Sequence, residues 1–206
     1  MNLYERYILP HALTCAYRTK PICRQRKKIV PRAHGRVLEL GMGPGLNLPF
    51  YDATRVSEVI GVDPSNQLLK KAEVVAREVA FPVRCLSTTA EQMEMPNASI
   101  DTLLVTFTLC TIPDAVSAMA VCRRVLKPDV DVLFCEHGLA PDAGVAKWQN
   151  RLNPVWKALA GGCNLNRPIP SLLDKAGYRI DEMETMYLPS TPRFAGFSYW
   201  GRAHPI

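Results

Sequence analysis

Apolar positions along this chain fall into short runs separated by turn residues and amphipathic stretches. Arg36 to Glu39, Val56 to Val62, Val83 to Leu86, Asp101 to Phe107 and Asp131 to Glu136 read as five strands. The fourth is apolar and β-branched along its length, as a strand buried on both faces should be. Helical periodicity covers Gln67 to Ala80, with Ser65 as its cap, and about Asp114 to Leu126. Before the first strand, residues 3 to 29 have helical spacing that Pro10 and Pro21 should interrupt. There Leu3, Tyr4, Tyr7 and Ile8 share a face. After the fifth strand, Trp148, Leu152, Val155, Trp156 and Leu159 suit one apolar helix stripe, ended by Gly161 and Gly162. Ser171 to Ala176 with Gly177 gives another helix and its stop. Arg179 to Tyr187 and Phe197 to Arg202 read as a closing antiparallel pair. The alternation predicts an α/β fold: a seven-stranded, mostly parallel sheet with helices on both faces and the last strand pair antiparallel. At 206 residues it is expected to be one domain, 1–206, without internal repeats.

The first strand runs into LELGMGPG, Leu38 to Gly45, with glycines at 41, 43 and 45 behind the acidic Glu39. Glycine permits positive φ and lets a ligand lie against the backbone. A dinucleotide loop needs G-x-G-x-x-G, and its third glycine position is here Leu46, so that pattern fails. The second strand ends in Asp63, 18 positions beyond Gly45. One carboxylate at such a strand tip can accept from both hydroxyls of a ribose.

The spacing G-x-G-x-G behind an acid resembles the first motif of class I S-adenosylmethionine-dependent methyltransferases, which have a Rossmann-like fold. SIDTLLVTFTLCTIPDAVSAMAVCRRVLKPD resembles the matching segment of small-molecule members, except that Asp129 and Val130 stand where two glycines are usual. FCEHG, WQNRLNPVWKALAGGCNLNR and FSYWGRA are similar to the animal alkyl-thiol S-methyltransferases and their bacterial relatives. The animal enzymes carry an N-terminal hydrophobic membrane anchor; LYERYILPH and a basic helix stand here instead.

The resemblance implies S-adenosyl-L-methionine as cofactor, held by Glu39, Gly41, Met42, Gly43, Gly45, Asp63, Pro64, Leu68, Ala90, Glu91, Thr106 and Leu109. In the adenine loop Thr89 replaces the usual acid before Ala90. It further implies a helical lid over residues 1–35 and a substrate roof over residues 140–176. Acceptor contacts are expected from Tyr4, Tyr7, Cys110, Trp148 and Trp156. His137, at the end of the fifth strand, is the candidate catalytic base, with a locally bonded histidine as the rival reading.

Composition narrows this picture. The net charge of +6 gathers early, from Arg18 through Arg24, Arg26 and Arg32 to Arg36, and reads as a solvated helix face. No aromatics alternate with these charges beyond Tyr17, so a nucleic-acid partner is not expected, while weak membrane-surface contact stays open. No apolar run is long enough to span a membrane. Seven cysteines, an odd number without a C-x-x-C pair, suggest neither a disulfide framework nor a zinc site, and point to a reducing, cytoplasmic setting. The expected function is methyl transfer to a small, fairly apolar acceptor, a thiol being one option. N- or O-methylation of a lipid or secondary metabolite is a second reading. A cofactor-binding regulatory or scaffold protein is a third, non-enzymatic one.

Overall fold

A computed structural model describes residues 9–206. Tyr4 and Tyr7 therefore lie outside the described residues. Seven strands form one sheet: β1 (Gly35–Leu40), β2 (Val56–Val62), β3 (Val83–Leu86), β4 (Ile100–Thr106), β5 (Leu126–His137), β6 (Tyr178–Tyr187) and β7 (Phe197–Pro205). Their spatial order is β3-β2-β1-β4-β5-β7-β6. The first five are mutually parallel, and β7 inserts between β5 and β6, antiparallel to both. β1 sits at the centre, between β2 and β4, where the strand order reverses. In an open parallel sheet, the carboxyl ends at that reversal form the natural ligand crevice.

Period-two alternation divides the strand residues between two cores. Leu38, Ile60, Leu103, Val105, Val132 and Phe134 face one side, where they meet Met119 and Cys122 of α4 (Ala115–Val125) and Leu173 of α6 (Ile169–Lys175). Val37, Val59, Leu104, Leu133 and Cys135 face the other, against Ile29 of α2 (Lys20–Ile29) and Leu69 and Ala72 of α3 (Asn66–Ala76). Helices thus cover both faces, and the central strands are mostly apolar because neither side meets water, with the buried polar residues Glu39, Thr106 and Glu136 at their carboxyl ends.

Caps and turns follow their local chemistry. The Ser65 hydroxyl accepts from the Leu68 N–H at the start of α3, and the Asp114 carboxylate from the Ser117 N–H at the start of α4. Pro21 falls in the first turn of α2, where its missing N–H costs nothing, so it opens that helix rather than breaking it. The loop lacking the usual glycines is built as a register shift. Ile100 pairs with Leu126 and Thr102 with Asp131, and Asp129 itself adopts φ +55°.

The helix α5 (Ala143–Leu159) departs from expectation. Its apolar stripe faces outward: Trp148, Val155 and Leu159 are 56%, 62% and 58% exposed. Its anchor is polar. The buried Gln149 accepts from the Ala140 N–H at 2.8 Å and donates to the carbonyls of Gly138 and Phe194 at 2.9 and 3.1 Å. No helix among the described residues is long and apolar enough to cross a membrane.

Candidate active site

A cavity of about 620 Å³ opens at the carboxyl ends of β1, β2 and β4. That volume is in the range of small-molecule sites. The glycine loop forms one wall. Its Gly41 and Met42 N–H groups donate to the Val62 carbonyl at 2.8 and 3.2 Å, tying β1 to the tip of β2. Asp63 completes the tie: Oδ2 accepts from the Gly43 N–H at 2.9 Å and Oδ1 from the Ser65 N–H at 2.8 Å. Burial raises the Asp63 pKa, and these two N–H groups oppose the rise.

Two glycines do distinct work here. Gly41, at φ +74°, packs so tightly that a Cβ would overlap the Thr108 side chain, whereas Gly43, at φ +56°, has nothing within 4 Å of that position. The first is required by packing, and the second leaves backbone bare to the cavity. A Cβ on Gly45 would press on Ala72 of α3 and on Leu48, so this glycine serves helix packing behind the wall.

Beneath the loop lies a buried polar network. Asn47 Nδ2 donates to Glu39 Oε1 and to Thr106 Oγ1, both at 2.8 Å, and Tyr51 donates to Glu39 Oε2 at 2.7 Å. Arg26 Nη1 donates to Asn47 Oδ1 at 3.0 Å. Burial pushes the Glu39 carboxyl up to about 7 despite the bonds from Tyr51 and Asn47. Arg26 corrects the reading of a solvated basic face. It is 4% exposed, lines the cavity, and lies with its guanidinium 5.2 Å from the Phe107 ring centroid. Its Nε is buried without a hydrogen-bond partner. A guanidinium lining the cavity suits an anionic ligand group.

Of the anticipated cofactor residues, Gly41, Met42, Gly43, Asp63, Pro64, Leu68, Ala90, Glu91 and Thr106 line the cavity, with Thr88 and Thr89 beside them. Glu39, Gly45 and Leu109 stand behind the wall and shape it. Tyr17, Leu9 and Thr14, from α1 (Leu9–Tyr17), also line the cavity, as do Ala160 and Gly161 at the end of α5. Neither Trp148 nor Trp156 reaches it. Trp148 lies on the outer face of α5 against Arg151, and Trp156 stacks edge-on to Phe194.

Cys110 and His137 also lie behind the wall, and they meet there with a residue the sequence did not single out, Cys163. His137 Nε2 is 3.6 Å from Cys163 Sγ. Cys110, and then His137, favour the thiolate at Cys163, which falls to about 4. Burial lowers the His137 pKa, but Cys163 and Glu136 outweigh it and raise the value overall. Glu136 accepts from the N–H groups of Thr108, Leu109 and Cys110 at 2.7, 3.0 and 3.4 Å, and so sets the loop after β4. Burial pushes it up to about 7.

Comparison with known proteins agrees with this geometry. A methyltransferase-domain family model matches residues 38–134, from the glycine loop through β5. A thiol S-methyltransferase of Rattus norvegicus is 28% identical over 169 residues, covering 78% of this chain and 68% of that protein. A phosphatidylethanolamine N-methyltransferase of Cereibacter sphaeroides is 34% identical over 128 residues, covering 61% and 59%. The crystal structure of the YcgJ protein from Bacillus subtilis superposes with a TM-score of 0.64 at 18% identity, over 89% of this chain and 94% of that one, a likeness of fold. The family match over residues 38–134, these relatives and a glycine-walled crevice at the sheet's reversal give this chain a methyltransferase domain and imply S-adenosylmethionine as its cofactor.

Proposed function

We propose that the chain methylates the thiol of a small, apolar acceptor. S-adenosylmethionine, when bound, supplies an electrophilic methyl group on a cationic sulfur. The glycine loop and Asp63 are the residues suited to hold its nucleoside, Asp63 accepting from the ribose hydroxyls beside Gly43. Leu68 and the 88–91 loop suit the adenine. The Arg26 guanidinium suits the carboxylate at the amino-acid end.

The observation that carries the acceptor reading is the apolar part of the cavity lining. It is built from Leu9, Tyr17, Phe107, Ile112, Ala160 and Gly161. These residues exclude water, and Leu9, Phe107, Ile112, Ala160 and Gly161 carry no side-chain base for an amine or alcohol. A thiol, with a pKa of about 8.5, is far more acidic than an alcohol, so a few per cent is thiolate at neutral pH without a base, and the charge lost as thiolate meets sulfonium makes a dry environment favourable to the transfer. Residues 9–17 serve as part of a lid and residues 160–161 as the edge of a roof. His137 Nε2 faces Cys163 and the residue does not line the cavity, so its part is to position the wall rather than to act as a base on the acceptor.

Similarity to the rat thiol S-methyltransferase supports this reading. Similarity to the phosphatidylethanolamine N-methyltransferase supports N-methylation of a lipid amine as the second. A screen with methyl-labelled cofactor against alkyl thiols, phenols, amines and phosphatidylethanolamine vesicles separates them. Labelled thioether from alkyl thiols, at rates well above the other classes, is expected. Preferential labelling of the lipid amine would overturn the thiol reading.

A further inference from the structure

Cys110, His137 and Cys163 come from three separate elements: the loop after β4, the last residue of β5 and the loop after α5. All three are buried, and their donor atoms lie within 4.8 Å of one another. We propose that they form a site for a soft divalent metal ion of the zinc class, with a fourth coordination position left open. The reading is independent of which acceptor is methylated.

The donor set is the first support. Two thiolates and an imidazole are the ligands that soft and borderline divalent ions select. An ion about 2.3 Å from sulfur and about 2.0 Å from nitrogen, in tetrahedral geometry, sets those atoms roughly 3.5 Å apart. Cys163 Sγ and His137 Nε2 are 3.6 Å apart. Three protein ligands with one vacancy is also the count of sites that keep an open position.

The second support is how firmly the donors are held by their neighbours. Asn164, next to Cys163, donates to the Cys110 carbonyl twice, from its backbone N–H at 2.8 Å and its Nδ2 at 2.9 Å. Glu136, next to His137, accepts from the N–H groups of residues 108–110. The backbones that carry the three donors are thus tied to one another through hydrogen bonds made by Asn164 and Glu136. Gly161 and Gly162, at φ +61° and +88°, make the turn that brings Cys163 inward. Thr108, Thr111 and Gly161 line the cavity, so the ion would sit directly behind its wall and join the roof to the sheet.

The test uses the full chain, purified under reducing conditions from zinc-supplemented cells. Metal analysis should find about one equivalent of zinc per chain. After chelator treatment, cobalt(II) should give tetrahedral d–d bands with thiolate charge transfer. Cys163→Ser and His137→Ala should each weaken cobalt affinity by about tenfold or more, while Cys15→Ser, at an exposed cysteine, should not. Circular dichroism and stabilisation by S-adenosylhomocysteine verify that each variant is folded. Wild-type protein without zinc and without tetrahedral cobalt bands would overturn the site. So would equal loss in Cys15→Ser, or a Cys110–Cys163 disulfide in the reduced preparation. Methyl transfer to thiols could persist in any of these cases, so the two readings fail separately.

Discussion

Asp63 Oδ2 accepts the Gly43 N–H at 2.9 Å, so the carboxylate suited to a ribose is also the clamp that shapes the glycine loop. Loop and acid are one unit, and the glycines within it should respond differently to substitution. Gly41→Ala drives a methyl into Thr108 at positive φ, and should destabilise the fold by roughly 3 kcal/mol or more. Gly43→Ala meets no protein atom, and should cost only about 1 kcal/mol of strain. Its methyl nevertheless projects where ligand would lie. Urea unfolding and calorimetric titration with S-adenosylhomocysteine distinguish the two: Gly43→Ala should unfold nearly as wild type does yet bind weakly. Normal binding by that variant would remove the loop backbone from the ligand contact.

Arg26 should recognise the carboxylate of the cofactor. Arg26→Gln is expected to weaken S-adenosylhomocysteine by about tenfold or more, as for loss of a charge-assisted hydrogen bond. Methylthioadenosine lacks the amino-acid end, so its affinity should change little. Equal weakening of both ligands would mean that Arg26 acts only through Asn47 on the loop.

Glu39 makes stability depend on pH. Its pKa rises from 4.5 in the unfolded reference to about 7 in the fold, so the native state holds the proton more tightly. That contribution is fully present below the unfolded value and is lost as pH rises through 7, by about 3 kcal/mol at most. Glu136 shifts in the same direction. Thermal midpoints should therefore fall between about pH 4.5 and 7 and level off above that. Glu39→Gln, whose amide stays neutral while the Tyr51 hydroxyl turns to accept, should flatten the fall. An unchanged slope would show that Glu39 is not protonated in the native state.

Asp129 stands at φ +55°, a region that side chains adopt at a cost. Asp129→Gly should stabilise the protein by about 0.5–1 kcal/mol in urea unfolding, without affecting cofactor binding. Destabilisation would mean that the Asp129 side chain makes up for the strain.

The strands were legible in the sequence because the central ones are buried on both faces and all are bounded by turn residues. Val56–Val62 and Val83–Leu86 fall where periodicity put them. The glycine loop and Asp63 were legible because their chemistry is local: positive φ and a strand-tip carboxylate. What escaped depends on distant partners. Arg26 looks like its neighbours on a basic helix, and only the fold turns it inward over Phe107 toward Asn47. The stripe of Trp148, Val155 and Leu159 has the period of a buried face, yet α5 is held by Gln149 and leaves them outside. Cys110, His137 and Cys163 share no spacing rule, since three elements bring them together.

The central claim is that Asp63 and the glycine loop hold the nucleoside together, and calorimetric titration of S-adenosylhomocysteine into wild type, Asp63→Asn and Asp63→Ala tests it most directly. Both variants should stay folded by circular dichroism and bind at least about tenfold more weakly, the loss expected when a half-buried carboxylate's hydrogen bonds are removed. Wild-type affinity in folded Asp63→Ala would contradict the claim.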